Sequence, residues 1–195
     1  MDQATKLTQR AAYLARRVDL QARFARFQID STTKANLHQL IPLLTKEIDQ
    51  IIVRFYNYLE QFSETRDILK GHDIARLRLS QRRHWLRLFS CELDNDYVHS
   101  ALLIGLAHYH RQVAPQTYLA AYSFFQSELL RTIISRHNSL EAAALSISIN
   151  KLIMLDVSIT LNAYLIDAFA IVTAKIPRKK PEVRQAKAPY TRPED

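Results

Sequence analysis

Apolar residues recur at helical spacing along almost the whole chain, and no stretch shows the strict alternation of a half-buried strand. Residues 4–27 combine helical propensity with a basic character and predict one leading helix. Ser31-Thr32-Thr33 offers an N-cap for a helix beginning near Lys34. Pro42 falls inside that pattern, where its missing N–H predicts a kink or a restart. Ile48, Ile52, Phe55 and Leu59 then repeat at helical spacing through residues 45–62. The polar stretch SETRDILKGHD reads as a connection to a helix over 75–90, where Leu77, Ser80, His84 and Leu88 make one stripe. Asp94-Asn95-Asp96 is a cap for a helix from Asp96 to Gln112, and Pro115 starts another reaching about His137. Asn138-Ser139 caps the longest helix, over 140–174. The expectation is an all-α chain of six to eight helices in one domain.

The last helix is apolar on nearly every side. Leu145, Ile149, Leu152, Ile153, Asp156, Ile159, Ala163, Ile166 and Ala170 follow one broad face, while Ile147, Met154, Leu161, Leu165 and Phe169 occupy the other. Such a helix is covered on both sides, either by its own domain or by a second copy of the chain.

Composition narrows the function classes. A chain of 195 residues, 48% hydrophobic and 24% charged, fits one ordinary globular domain. Gly71 and Gly105 are the only glycines, which excludes a glycine-rich phosphate loop. A single cysteine, Cys91, excludes an intramolecular disulfide and a C-x-x-C motif, and points to a reducing compartment. The opening MDQATKLTQR lacks the apolar core of a signal peptide, so a cytoplasmic protein is expected. Asp156, Asn162 and Asp167 interrupt the most apolar stretch, 152–174, and no membrane span is expected. The net charge is +8, but residues 1–27 and 175–195 each carry +4 of it, and the 147 residues between are neutral. Basicity confined to the ends does not make the folded basic face of a nucleic-acid-binding domain. The proline-rich, charged segment 176–195 is expected to be a disordered tail.

Residues 104–118 read IGLAHYHRQVAPQTY, with two histidines near the end of an apolar helix. Tyr97, Ala101, Ile104, Gly105 and His108 share a face, because offsets of 4, 7, 8 and 11 bring helical side chains back into line. His110 points about 200° away and is solvated. His108 therefore faces inward, and spacing alone leaves it either a satisfied core histidine or a ligand.

The ordered string Phe55-Tyr56, Arg76-Leu77-Arg78-Leu79-Ser80, His84-Trp85-Leu86-Arg87-Leu88-Phe89, Asp94 to Tyr97, and Ile104 to Tyr118 resembles the sensor globin domain of the globin-coupled sensors. The resemblance covers roughly residues 24–172, including the extra helix before the first globin helix. It implies a globin fold with residues 1–27 as a preceding helix and 28–175 as the sensor domain. It also implies haem b with His108 as the iron ligand, and O2, CO or NO as the gas. On the same resemblance Tyr56 is the distal hydrogen-bond donor, Ser80 supports it and Leu77 crowds the ligand. Phe55, Tyr97 and Ile104 are haem contacts or core residues. Tyr118 is either a partner for the His108 ring or a core tyrosine, and the carbonyls of His108's own helix are the other acceptors for that ring. A homodimer through residues 116–174 would carry the signal to a separate or missing output domain, and no catalytic constellation is visible. The readings from other classes are a haem-free helical interaction module and an O2-storing or NO-detoxifying globin.

Overall fold

The structure is a computed structural model that describes residues 2–175, with side chains to Leu165. The expected tail at 176–195 lies outside the described residues. Eight helices follow one another: α1 (Gln3–Ala15), α2 (Leu20–Arg26), α3 (Ser31–Leu59), α4 (Ser63–Leu69), α5 (Ile74–Phe89), α6 (Asn95–His110), α7 (Pro115–Ile134) and α8 (Ser139–Lys175). No strand occurs among the described residues.

Aspartate starts most of these helices. Asp2, Asp19, Asp30, Asp73 and Asp94 each accept a hydrogen bond from the backbone N–H three residues on, which satisfies an amide that the helix cannot. This corrects two expectations. The leading helix is divided, because Asp19 caps a new helix with the amide of Ala22. The third helix begins at Ser31 rather than Lys34, because Asp30 takes the cap from the serine and threonines.

Pro42 neither breaks nor restarts α3. Its cost within a helix, ~3 kcal/mol, is offset by the burial of Leu37, Leu40, Leu44, Ile48, Ile51, Ile52 and Phe55 along the same helix. The expected connection after α3 holds a short helix, α4. The Thr65 hydroxyl pins it by donating to the carbonyls of Leu59 and Phe62.

The core lies where α8 meets α3, α6 and α7, with α5 against α3. α1 packs on α6 through Ala11, Leu14 and Ala15, so the leading segment is part of the packed body. α6 and α8 approach backbone to backbone at Gly105. A Cβ there would lie 2.3 Å from the Thr160 carbonyl oxygen and 3.0 Å from the Ala163 Cβ. Ser139–Leu165 of α8 is long and apolar enough to cross a membrane by length and composition alone, even with Glu141, Lys151 and Asp156 in it, as the core helix of a globular protein also can be. More than half of that stretch is buried inside the protein. Its outer face exposes Leu140, Ile147, Met154 and Leu165.

Candidate ligand cavity

A cavity of about 330 Å³ opens between α3, α5, α6 and α7. Phe55 and Tyr56 line it from α3, Leu77, Ser80, Gln81 and His84 from α5, Ile104 and His108 from α6, and Tyr118 and Tyr122 from α7. Seven of the eight side chains expected at the site are therefore brought together.

Tyr97 is the exception. An offset of eleven residues returns it to the His108 face but places it about 16 Å along the helix axis. It is buried, outside the cavity lining, with its hydroxyl turned to Asp156.

His108 is fixed from both ends. Its Nδ1 lies 2.8 Å from the Ile104 carbonyl oxygen. A carbonyl only accepts, so Nδ1 carries the proton and Nε2 keeps its lone pair. Burial holds the imidazole below the ordinary histidine range, which keeps it neutral at neutral pH. Immediately after it, α6 closes in a Schellman turn: the amide of Val113 donates to the His108 carbonyl and that of Gln112 to the Tyr109 carbonyl. Gln112, at φ +58°, takes the left-handed position usually given to glycine. The Tyr118 ring packs edge-on against His108 at 5.3 Å. Of the two acceptors expected for the ring, the structure uses the helix carbonyl.

Across the cavity, Tyr56 is buried and its phenol is pushed up to about 12 by burial, the Arg78 guanidinium acting in the opposite direction. It stays an O–H donor throughout the physiological range. Phe55 braces it edge-on at 5.5 Å and packs on Phe125 at 4.6 Å. Leu77 is half-buried, whereas Ser80 sits at the open side and makes no hydrogen bond to Tyr56. The expected support of Tyr56 by Ser80 is not formed here, Ser80 lying exposed on α5 at the cavity.

The sequence reading missed Asp156. It stands in the apolar row of α8 and has no solvent exposure. Its carboxylate accepts from the Tyr97 hydroxyl at 2.5 Å and the Tyr122 hydroxyl at 2.6 Å, and lies 3.1 Å from the His84 Nε2. Burial alone would push this carboxyl up. The charge of His84 and the bonds from His84, Tyr122 and Tyr97 instead hold it below the usual carboxylate range. Gln81 was also overlooked; it borders the cavity with its side-chain oxygen buried and unpaired.

Among the described residues no group of three or more His, Cys, Asp or Glu side chains is placed to hold a bare metal ion. One neutral imidazole facing an apolar cavity can supply a single bond to a metal whose other ligands come from elsewhere.

The family model for protoglobin matches residues 14–169. The chain belongs to the protoglobin family. This protoglobin is 27% identical over 154 residues to the heme-based aerotactic transducer HemAT of Halobacterium salinarum, a match covering 73% of the chain and 31% of the transducer. The chain thus spans about a third of the length of the curated relative it matches. Its architecture superposes on the globin domain of a Geobacter sulfurreducens globin-coupled sensor with a TM-score of 0.70 at 21% identity, over 75% of this chain and 98% of that one. The protoglobin therefore has a globin fold, with α1 and α2 ahead of the long α3.

Proposed function

We propose that this protoglobin binds haem in the cavity through His108 and senses a diatomic gas, O2 first, with CO and NO fitting the same place. The observation that carries this reading is the His108 tautomer. With Nδ1 bonded to the Ile104 carbonyl, Nε2 is the atom offered to the cavity. An acceptor so fixed by a backbone carbonyl behind the ring is the form in which histidine ligates a metal. When bound, haem supplies an iron centre with one coordination position open to a gas. On this reading the haem is the b type, held without covalent attachment; the single buried Cys91 cannot form the two-cysteine attachment of a c-type haem.

The residues divide the work. Tyr118 and the Schellman turn hold the His108 ring in one orientation. Phe55, Leu77, Ile104 and Phe125 keep water out. The Tyr56 phenol donates a hydrogen bond to a polarised ligand on the opposite side, in surroundings dry enough to make that bond count. Replacing Tyr56 by phenylalanine is expected to speed O2 release ~10–100-fold, the equivalent of one charge-assisted hydrogen bond. CO release, from a less polarised ligand, should change by less than ~3-fold on the same scale. Stopped-flow displacement of each gas measures both. Equal effects on the two would remove Tyr56 from the ligand side.

Sensing further requires that the cavity communicate with a surface. Leu140, Ile147 and Met154 are exposed at seven-residue intervals on α8, the spacing of a helix seam. On this reading a second copy covers that seam with its own α7 and α8, and ligation shifts the two pairs against each other toward a signalling partner. Ile147→Glu should turn a dimer into a monomer in sedimentation experiments while leaving the haem spectrum unchanged. A wild-type protein that sediments as a monomer with and without ligand would end the dimer part of the proposal.

A further inference from the structure

Asp156 has no part in ligand binding as described, yet it joins four helices. It belongs to α8, and its three side-chain partners come from α5, α6 and α7. A buried carboxylate is strongly unfavourable without such partners, and a leucine of similar volume would fill the place more cheaply. Filling the core is therefore not enough to account for it.

Two of the three partners, His84 and Tyr122, border the cavity. On α5, His84 lies one turn beyond Ser80 and borders the cavity. On α7, Tyr122 also borders the cavity. It lies one turn beyond Tyr118, with ring centroids 4.8 Å apart, and Tyr118 in turn packs on His108. The Tyr118 hydroxyl is buried beside Tyr122 and Thr160 with no hydrogen bond of normal geometry. Both walls of the cavity thus converge on one carboxylate. Along α8 the consequences are local. The Thr160 hydroxyl donates to the Asp156 carbonyl, and the Thr160 carbonyl is the atom against which Gly105 of α6 packs. The exposed Met154 lies half a turn before Asp156 on the same helix.

We propose that Asp156 is a positioning residue that couples the cavity to α8, holding His84 and Tyr122 against the cavity wall and transferring their displacement to the middle of that helix. The proposal rests on the haem reading for its ligand. Its chemistry is a hydrogen-bond exchange at a carboxylate, with no covalent bond made or broken. Because the carboxylate is held ionised, it accepts from both phenols and keeps them as donors.

The test compares wild type, Tyr122→Phe and Asp156→Asn by hydrogen–deuterium exchange of α8 peptides covering residues 150–162, using the full chain loaded with haem, reduced, with and without CO. In wild type, CO should change exchange there by a factor in the ordinary range of allosteric coupling, ~5–150-fold. In Tyr122→Phe, which loses one hydroxyl and keeps its ring, the exchange response, compared with wild type with each protein saturated by CO, should drop below ~2-fold, under the coupling range. A purely structural role would alter the baseline of both states and leave the response intact. That result, or no response in wild type, overturns the proposal. Should Asp156→Asn fail to fold, Tyr122→Phe carries the test alone. The haem-free protein gives a separate arm. There, Tyr122→Phe should shift the imidazole resonances of both His84 and His108 together with α8 exchange. Unchanged resonances and exchange overturn the coupling independently of whether haem binds.

Discussion

Replacing His108 by alanine is expected to remove the imidazole that would hold haem iron and to weaken haem binding by more than ~100-fold. Loss of a single partner behind a metal ligand already costs 10–100-fold, and here the ligand itself is lost. Two other imidazoles, His72 and His84, also border the cavity, and neither is held as His108 is. The Nε2 of His84 is engaged by Asp156, and His72 lies at the exposed turn before α5. Free imidazole should restore binding to the His108→Ala protein, because the cavity and its other wall are unchanged by the substitution. The check is a haem titration of both proteins followed by absorption, with thermal unfolding recorded to separate a lost bond from a lost fold. If His108→Ala keeps a wild-type affinity and spectrum, the ligand is another group.

The second large effect is on stability. Gly105→Val is expected to destabilise the protein by several kcal/mol, and Gly105→Ala by less. In an isolated helix alanine would gain ~1 kcal/mol over glycine. Here its Cβ would sit 2.3 Å from a backbone oxygen of α8, too close for any side-chain adjustment to relieve. Overpacking of this kind costs ~1–3 kcal/mol, occasionally more, so the clash outweighs the propensity gain. α6 would have to retreat from α8 at a point less than one turn before His108. At ~2–4 °C per kcal/mol for a chain of this size, calorimetry should find Gly105→Ala a few degrees less stable than wild type and Gly105→Val lower again. An unchanged or raised melting temperature for Gly105→Ala would mean that the two helices are not in register as described.

What could be read from the sequence divides along a physical line. Features written within one or two turns were legible. The apolar period gave the helices, Asp94 gave the start of α6, and the inward face of α6 picked out His108 over the exposed His110. The Phe55-Tyr56 pair and Tyr118 come from short stretches and meet around the same cavity. Competition between neighbouring signals was harder to judge. Asp30 beside Ser31-Thr32-Thr33 offered two caps, and the carboxylate won. Pro42 looked like a break because its penalty is local, whereas the burial that overrides it is spread along the whole of α3. Tyr97 shares a helical face with His108, but a face carries no information about distance along the axis. Asp156 was least legible. Its partners lie 72, 59 and 34 residues away on three other helices, and in the linear pattern it reads only as a polar interruption of an apolar row.

The most direct measurement is the absorption spectrum of the purified chain titrated with haem, oxidised, then reduced, then exposed to CO. One haem bound per chain, with an intense Soret band that moves on reduction and again with CO, is the expected result. A chain that stays colourless with haem in excess, or that binds it equally well after His108→Ala with no change in the band, would contradict the account.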